Sequence, residues 1–173
     1  MNTLHRRHLL LAGCAAVLAG CGQAAGEIAA MPKPVDGATA CDLDGMLLAD
    51  YPGPKAQVHY AGAATPVFFC DTVELFSTLL RPEQVRAVRA AYVQDMALAD
   101  WDQPAGHWFD AKAGLYVVGS RRHGSMGPTF ASFAALDPAQ QFAAKWGGKV
   151  LRYADIKPEM ADLSGGARHD VKM

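Results

Sequence analysis

The chain has 173 residues, 51% of them hydrophobic and 19% charged, and 16 basic against 17 acidic side chains leave a formal net charge of −1. That balance excludes an electrostatic nucleic-acid binder, and the length suits one domain or two small ones with a real core. Outside the N-terminal leader, no apolar run is long enough to span a bilayer.

Residues 1–20 have the layout of an export signal: Arg6-Arg7, an apolar run over residues 9–18, then Leu18-Ala19-Gly20-Cys21. The last four letters resemble a bacterial lipobox, in which the cysteine is lipidated and becomes the first residue. The same letters at residues 11–14 follow too short an apolar core, so Cys21 is the predicted lipidation site. Arg6-Arg7-His8-Leu9-Leu10 also resembles a twin-arginine signal, leaving the export route open between the two systems. Cleavage before Cys21 would leave 153 residues with 14 basic and 17 acidic side chains, a net charge of −3. The expected location is the cell envelope, facing the periplasm, with a lipid anchor as the membrane attachment.

Residues 21–40 are rich in Ala, Gly and Pro without a sustained period and are predicted to form a flexible tether. Residues 41–60, CDLDGMLLADYPGPKAQVHY, open the predicted fold and place Cys41, Asp44 and Met46 within six positions. Two extended runs at 56–61 and 66–70 flank a turn-rich Gly62-Ala63-Ala64-Thr65, the pattern of a hairpin. Asp71 followed by Glu74 gives a capping-box pattern, and Leu75, Phe76, Leu79 and Leu80 continue at helical spacing. A further turn of helix is predicted over residues 82–89, and a strand over AAYVQ, residues 90–94.

The C-terminal half repeats that order. Strands are predicted over residues 108–110 and 115–119, and residues 129–136 read as either helical or extended. Asp137-Pro138-Ala139-Gln140 starts a helix, Gly147-Gly148 ends it, and KVLRY, residues 149–153, is a closing strand. The predicted fold class is therefore α+β, with two small pseudo-duplicated strand-strand-helix-strand halves over about 41–98 and 99–158. Residues 159–173 are expected to be frayed.

Several side chains are candidates for chemistry. Cu(I) takes thiolate and thioether donors, which Cys41 and Met46 supply, with Asp44 as a hard neighbour. The spacing equally fits a buried sulfur pair that only packs. Met126, in the loop Gly119–Gly127, reads evenly as a third soft donor or as core filler, and His123 in the same loop could add an imidazole. Cys70 ends a strand before a capped helix and reads as a buried structural thiol, or as the partner of Cys41 in a disulfide. His59 reads as a sheet residue and Met96 as core. The glycine-rich loop lacks phosphate-cradle spacing. No arrangement for nucleophilic or paired-carboxylate catalysis is present, so the expected protein is not an enzyme.

Four segments, GMLLADYPGPKAQVHY, AAYVQDM with a following DW, WFDAKAGLYVVGS and RRHGSMG, resemble the nitrous oxide reductase accessory lipoproteins, the NosL family. The resemblance runs from about residue 41 to about 156. It implies a periplasm-facing, lipid-anchored Cu(I) chaperone with two similar α+β halves, whose partners are a nitrous oxide reductase-like copper enzyme and its assembly proteins. In the family motif a cysteine directly precedes Gly-Met, often with a second cysteine three positions upstream. Here Asp44 stands in the first place, Cys41 in the second, Met46 matches the motif methionine and Met126 the loop methionine. A carboxylate in place of a thiolate weakens Cu(I) binding. Two alternatives follow: an assembly lipoprotein that has lost its metal, or a structural lipoprotein with Cys41 and Cys70 joined.

Overall fold

The computed structural model describes residues 30–163. Expectations for the signal, for lipidation of Cys21 and for the chain beyond residue 163 lie outside the described residues, whereas residues 159–163, expected to be frayed, are packed, with a 3-10 turn over Pro158–Ala161 and Ala161 buried in the core. Among those described, no helix is long and apolar enough to cross a membrane.

The predicted hairpin forms from β1 (Ala56–Tyr60) and β2 (Val67–Phe69), with Ala56 opposite Phe69 and Val58 opposite Val67. Helix α1 (Thr72–Leu79) follows, and the Asp71 side chain caps it by accepting from the Val73 N–H at 2.9 Å. The chain returns along β1 as β3 (Val88–Gln94), and β4 (Trp108–Asp110) adds to the far edge of β3, giving an antiparallel sheet in the order β2-β1-β3-β4.

The second sheet contains β5 (Leu115–Val118), which precedes a short hairpin of β6 (His123–Gly124) and β7 (Gly127–Pro128). Then come β8 (Ala131–Phe133), helix α2 (Leu136–Trp146) and β9 (Lys149–Arg152), in the sheet order β8-β5-β9. Both sheets thus set their second strand, first and third side by side, with the helix between second and third. The α+β repetition expected from the order of elements is present in the topology.

Three local expectations differ. Residues 82–89 are not helical before β3 begins. The Gln84 side chain both donates to the Arg86 carbonyl (2.9 Å) and accepts from the Arg86 N–H (2.8 Å), closing a local turn in an exposed link. Residues 108–110 belong to the first sheet, and the 129–136 stretch supplies the second sheet's partner strand β8. Helix α2 begins at Leu136 behind Ala135, so Asp137 sits inside the first turn, where its charge favours the helix dipole without capping it.

Alternation along β5 ties the halves together. Tyr116 faces one core with Phe76, Val58, Val93 and Phe130, while Val117 faces another with Phe133, Ala131 and Trp101. The Phe76 ring of α1 meets the Tyr116 ring edge-on with centroids 4.8 Å apart, so the first half's helix packs against the second half's central strand.

Residues 30–40, expected as part of the tether, are instead seated on the first sheet. The Tyr92 hydroxyl donates to the Ala30 carbonyl (2.6 Å), and Gln57 both accepts from the Lys33 N–H (2.8 Å) and donates to its carbonyl (2.9 Å). Ala56, Val58 and Tyr60 of β1 face the main core, and the strap covers the opposite face at Gln57, so all five residues of the strand are buried. The strap also delivers Val35 and Cys41 into a third apolar cluster with Leu48, Phe68 and Cys70.

The β6–β7 hairpin rests on the start of α1. A Cβ on Gly124 would meet Asp71 Oδ2 and the Thr129 side chain, and one on Gly53 would meet the Gly124 backbone at 2.7 Å. Gly124→Ala should therefore lower the unfolding free energy by about 2 kcal/mol. A urea titration checks this, and an unchanged midpoint would show that the hairpin does not bear on the cap.

Candidate metal centre

The loop after the strap turns tightly. The Gly45 N–H donates to the Cys41 carbonyl (3.0 Å), the Cys41 N–H donates to the Met46 carbonyl (2.9 Å), and Asp44 Oδ1 accepts from the Met46 N–H (2.9 Å). Gly45 has φ +77°, where a side chain would strain the backbone. The Asp42 N–H donates to the Phe68 carbonyl (2.8 Å), which lays this loop against β2 as that strand runs out toward Cys70.

Glu74 then departs from the capping box. Its carboxylate turns away from Asp71 and accepts from the Cys70 N–H at 3.0 Å. The same oxygen, Oε2, accepts from the Cys41 thiol at 3.2 Å and the Cys70 thiol at 3.3 Å. Asp44 Oδ2 lies 4.0 Å from Cys70 Sγ. Ligand atoms of Cys41, Asp44, Cys70 and Glu74 all lie within 4.8 Å of one another. Three of these residues are buried and Asp44 is exposed, so the cluster opens to solvent at one side. Both cysteines are free thiols.

The charges of this cluster are coupled. When Cys41 ionises, the Cys70 thiol turns from Glu74 to donate to it, which pulls the Cys41 thiol down to about 6 against the effect of burial. Cys70 is pushed well up, because its proton serves Cys41 and because it is buried. Burial, reinforced by negative charge on Cys41, pushes Glu74 up to about 8. The group therefore behaves as one unit that readily gives up a first proton and resists losing the next.

Beneath it lies Lys55, 1% exposed, whose ammonium donates to the carbonyls of Pro52 (2.9 Å) and Cys70 (3.1 Å). Burial lowers its pKa, while the negative charges of Asp71, Cys70, Glu74 and Cys41 oppose that shift. Asp71 is pushed up to about 6 by burial, although Thr129 Oγ1 (2.6 Å) and the Val73 N–H bond its Oδ1. Its Oδ2 is buried without a hydrogen-bond partner among the described residues.

The structure thus joins Cys41 and Asp44 to two residues not expected in the site. Cys70, expected as a structural thiol, points its sulfur at the same carboxylate as Cys41, and Glu74, expected as a cap residue, is that carboxylate. Their sequence signals were the thiol at a strand end and a lone acid in the first turn of an apolar helix. Met46 is half-buried, with its backbone bonded to Cys41 and Asp44. Met126 is 38% exposed in the β6–β7 turn beside Ser125, whose hydroxyl donates to the Cys70 carbonyl at 2.6 Å. The Met46 backbone is thus bonded to two residues of the cluster, and Met126 follows a residue bonded to a third. His123 is exposed on β6 opposite Pro128, its carbonyl held by Trp101 Nε1 (3.1 Å), and is outside the four-residue cluster.

A family model described as NosL matches residues 32–161. The copper-binding lipoprotein NosL of Stutzerimonas stutzeri is 37% identical over 181 residues, covering 98% of this chain and 93% of that protein. The protein of the same description from Achromobacter cycloclastes is 37% identical over 158 residues, covering 89% and 81%. Among solved structures, the copper chaperone NosL from Shewanella denitrificans superposes with a TM-score of 0.72 at 37% identity, covering 75% of this chain and 97% of that one.

Proposed function

Because the chain belongs to the NosL family, we propose that it is a periplasm-facing lipoprotein, anchored through Cys21, that carries Cu(I) on sulfur donors. It delivers that ion to a nitrous oxide reductase-like enzyme during assembly of its copper centre. The copper is cargo, and the protein acts as a carrier and not as a catalyst.

One observation supports this reading above the others: two free thiols converge on a single carboxylate at the end of a loop open to solvent. Cu(I) is satisfied by two to four soft donors. Cys41 and Cys70 supply thiolates, and Met46 and Met126 supply thioethers. Thiolates must shed protons to bind a metal. The lowered Cys41 pKa makes the first loss easy near neutral pH, and Glu74 is hydrogen-bonded to both thiols and placed to take their protons. Asp44 and His123 are harder donors and suit the outer part of the site.

The alternative of a metal-free assembly lipoprotein rested on the loss of the motif cysteine at position 44. Cys70 weighs against it, since its sulfur stands 4.0 Å from the Asp44 carboxylate and offers a thiolate in place of the missing one. An anaerobic titration of the reduced protein with Cu(I) against a coloured chelator should find one tightly held ion. Met126→Leu should weaken that binding about tenfold or more, because a thioether is lost from the exposed side. Absence of chelator-competitive binding in the wild type would overturn the copper reading.

A further inference from the structure

We propose that Cys41 and Cys70 form a thiol–disulfide exchange site, which small disulfides oxidise to a reversible Cys41–Cys70 bond, and that this bond closes the donor set to copper. The second half of this inference rests on the copper reading, whereas the first stands on the geometry alone.

The two sulfurs lie within 4.8 Å of each other. A disulfide needs them about 2.05 Å apart, with Cβ atoms about 3.8 Å apart. The backbones that carry them are already adjacent, because the Asp42 N–H bonds the Phe68 carbonyl. Joining the sulfurs thus calls for side-chain rotation and a modest closure of the 41–46 loop, whose open side is marked by exposed Asp44. The hydrogen bonds that each thiol gives to Glu74 are the contacts that this rotation exchanges for the new bond.

Both sulfurs are buried, and the place of Cys41 in the loop that carries exposed Asp44 sets the order of steps. Cys41 is 4% exposed and lies in the loop, while Cys70 is 0% exposed beneath it. The Cys41 sulfur attacks one sulfur of an incoming disulfide RSSR, its proton passing by way of Glu74 to the departing RS group, which leaves as RSH. Cys70 sulfur then attacks Cys41 sulfur in the mixed disulfide, and the second RS group departs with the Cys70 proton as RSH. Two thiols become one disulfide, and two electrons and two protons reduce RSSR to two RSH. A dithiol reductant reverses both steps. In the oxidised form neither sulfur is a thiolate, so Cu(I) retains only the thioethers.

The test incubates the full chain, without copper, in mixtures of oxidised and reduced glutathione, then alkylates it and maps its peptides. The expected result is a peptide pair linked through Cys41 and Cys70, rising through one transition and reversed by dithiothreitol. Cys70→Ser should accumulate glutathione on Cys41, and Cys41→Ser should leave Cys70 unmodified. Absence of the linked pair at the most oxidising ratio, or modification of Cys70 before Cys41, would overturn the exchange site. Cu(I) competition on the same samples separates the two readings. A reduced protein that fails to compete refutes the carrier function and leaves the linked peptide to stand by itself. A reduced protein that competes should lose about tenfold or more of its affinity on oxidation, and an oxidised form that binds equally well would overturn the closure.

Discussion

Cys70→Ser should weaken Cu(I) binding as severely as Cys41→Ser, each by about tenfold or more, at least roughly 1.4 kcal/mol. The two thiols stand at nearly equal distances from Glu74 Oε2, 3.2 and 3.3 Å, and each supplies a thiolate that a hydroxyl does not replace. The complementary change is Asp44→Cys. It restores the cysteine that the family motif places before Gly-Met, at a residue whose Oδ2 is already 4.0 Å from Cys70 Sγ. With a third thiolate in reach, affinity should rise about tenfold, even though the substitution removes the bond that Asp44 Oδ1 accepts from the Met46 N–H. Chelator competition on the three variants decides the matter, with circular dichroism to show that each is folded. A Cys70→Ser protein with wild-type affinity would return Cys70 to a structural role and leave Cys41 with the methionines alone. An Asp44→Cys protein with unchanged affinity would show that position 44 lies beyond reach of the ion.

How much of this was visible in the sequence depended on the range of the interaction involved. The β1–β2 hairpin, the Asp71 cap and the β5 strand follow from signals within a few residues, and they stand in the structure with small changes at their ends. Residues 108–110 were legible as a strand but not as a member of the first sheet. Three residues carry no mark of the neighbour they pair with, and only the register Tyr92–Asp110, Val93–Phe109 and Gln94–Trp108 assigns them. The strap was misread because its bonds to Gln57 use the Lys33 backbone, which any residue but proline offers in the same form.

The site divides along the same line. Cys41, Asp44 and Met46 belong to one turn and were readable together, whereas Cys70 reaches Cys41 only through the pairing of the Asp42 N–H with Phe68. Glu74 misled because the capping-box spacing was present and the cap was real. Two buried thiols, Cys70 just before the helix and Cys41 far upstream in the chain, offered its carboxylate partners that no local pattern records. The loss of the motif cysteine is conspicuous in one dimension, while in three a cysteine from the far end of β2 stands beside the gap.

The apo, reduced protein should lose stability relative to Asp71→Asn as pH rises from about 4 to about 6. Asp71 is buried, and burial moves its carboxyl from 3.8 up to about 6 despite the bonds from Thr129 and the Val73 N–H. An acid raised in the folded state keeps its proton where the unfolded chain has released it. Its contribution is fully present below the unfolded value and is lost as pH climbs through the folded one. A shift of about two units corresponds to roughly 3 kcal/mol at most. Asparagine keeps an oxygen for Thr129 and for the cap, has no proton to lose, and caps helices as well as aspartate. The site above contributes in opposing directions: Glu74, raised to about 8, extends the loss to higher pH, whereas Cys41, lowered to about 6, restores stability as pH rises further. These two share a hydrogen bond and offset one another, and they are common to both proteins, so the difference between wild type and variant isolates Asp71. Urea midpoints at pH 4.5 and 6.5 measure it. The wild type should fall behind the variant at the higher pH. If it gains on the variant instead, Asp71 is held ionised, and the buried Lys55 ammonium outweighs the desolvation that raises it.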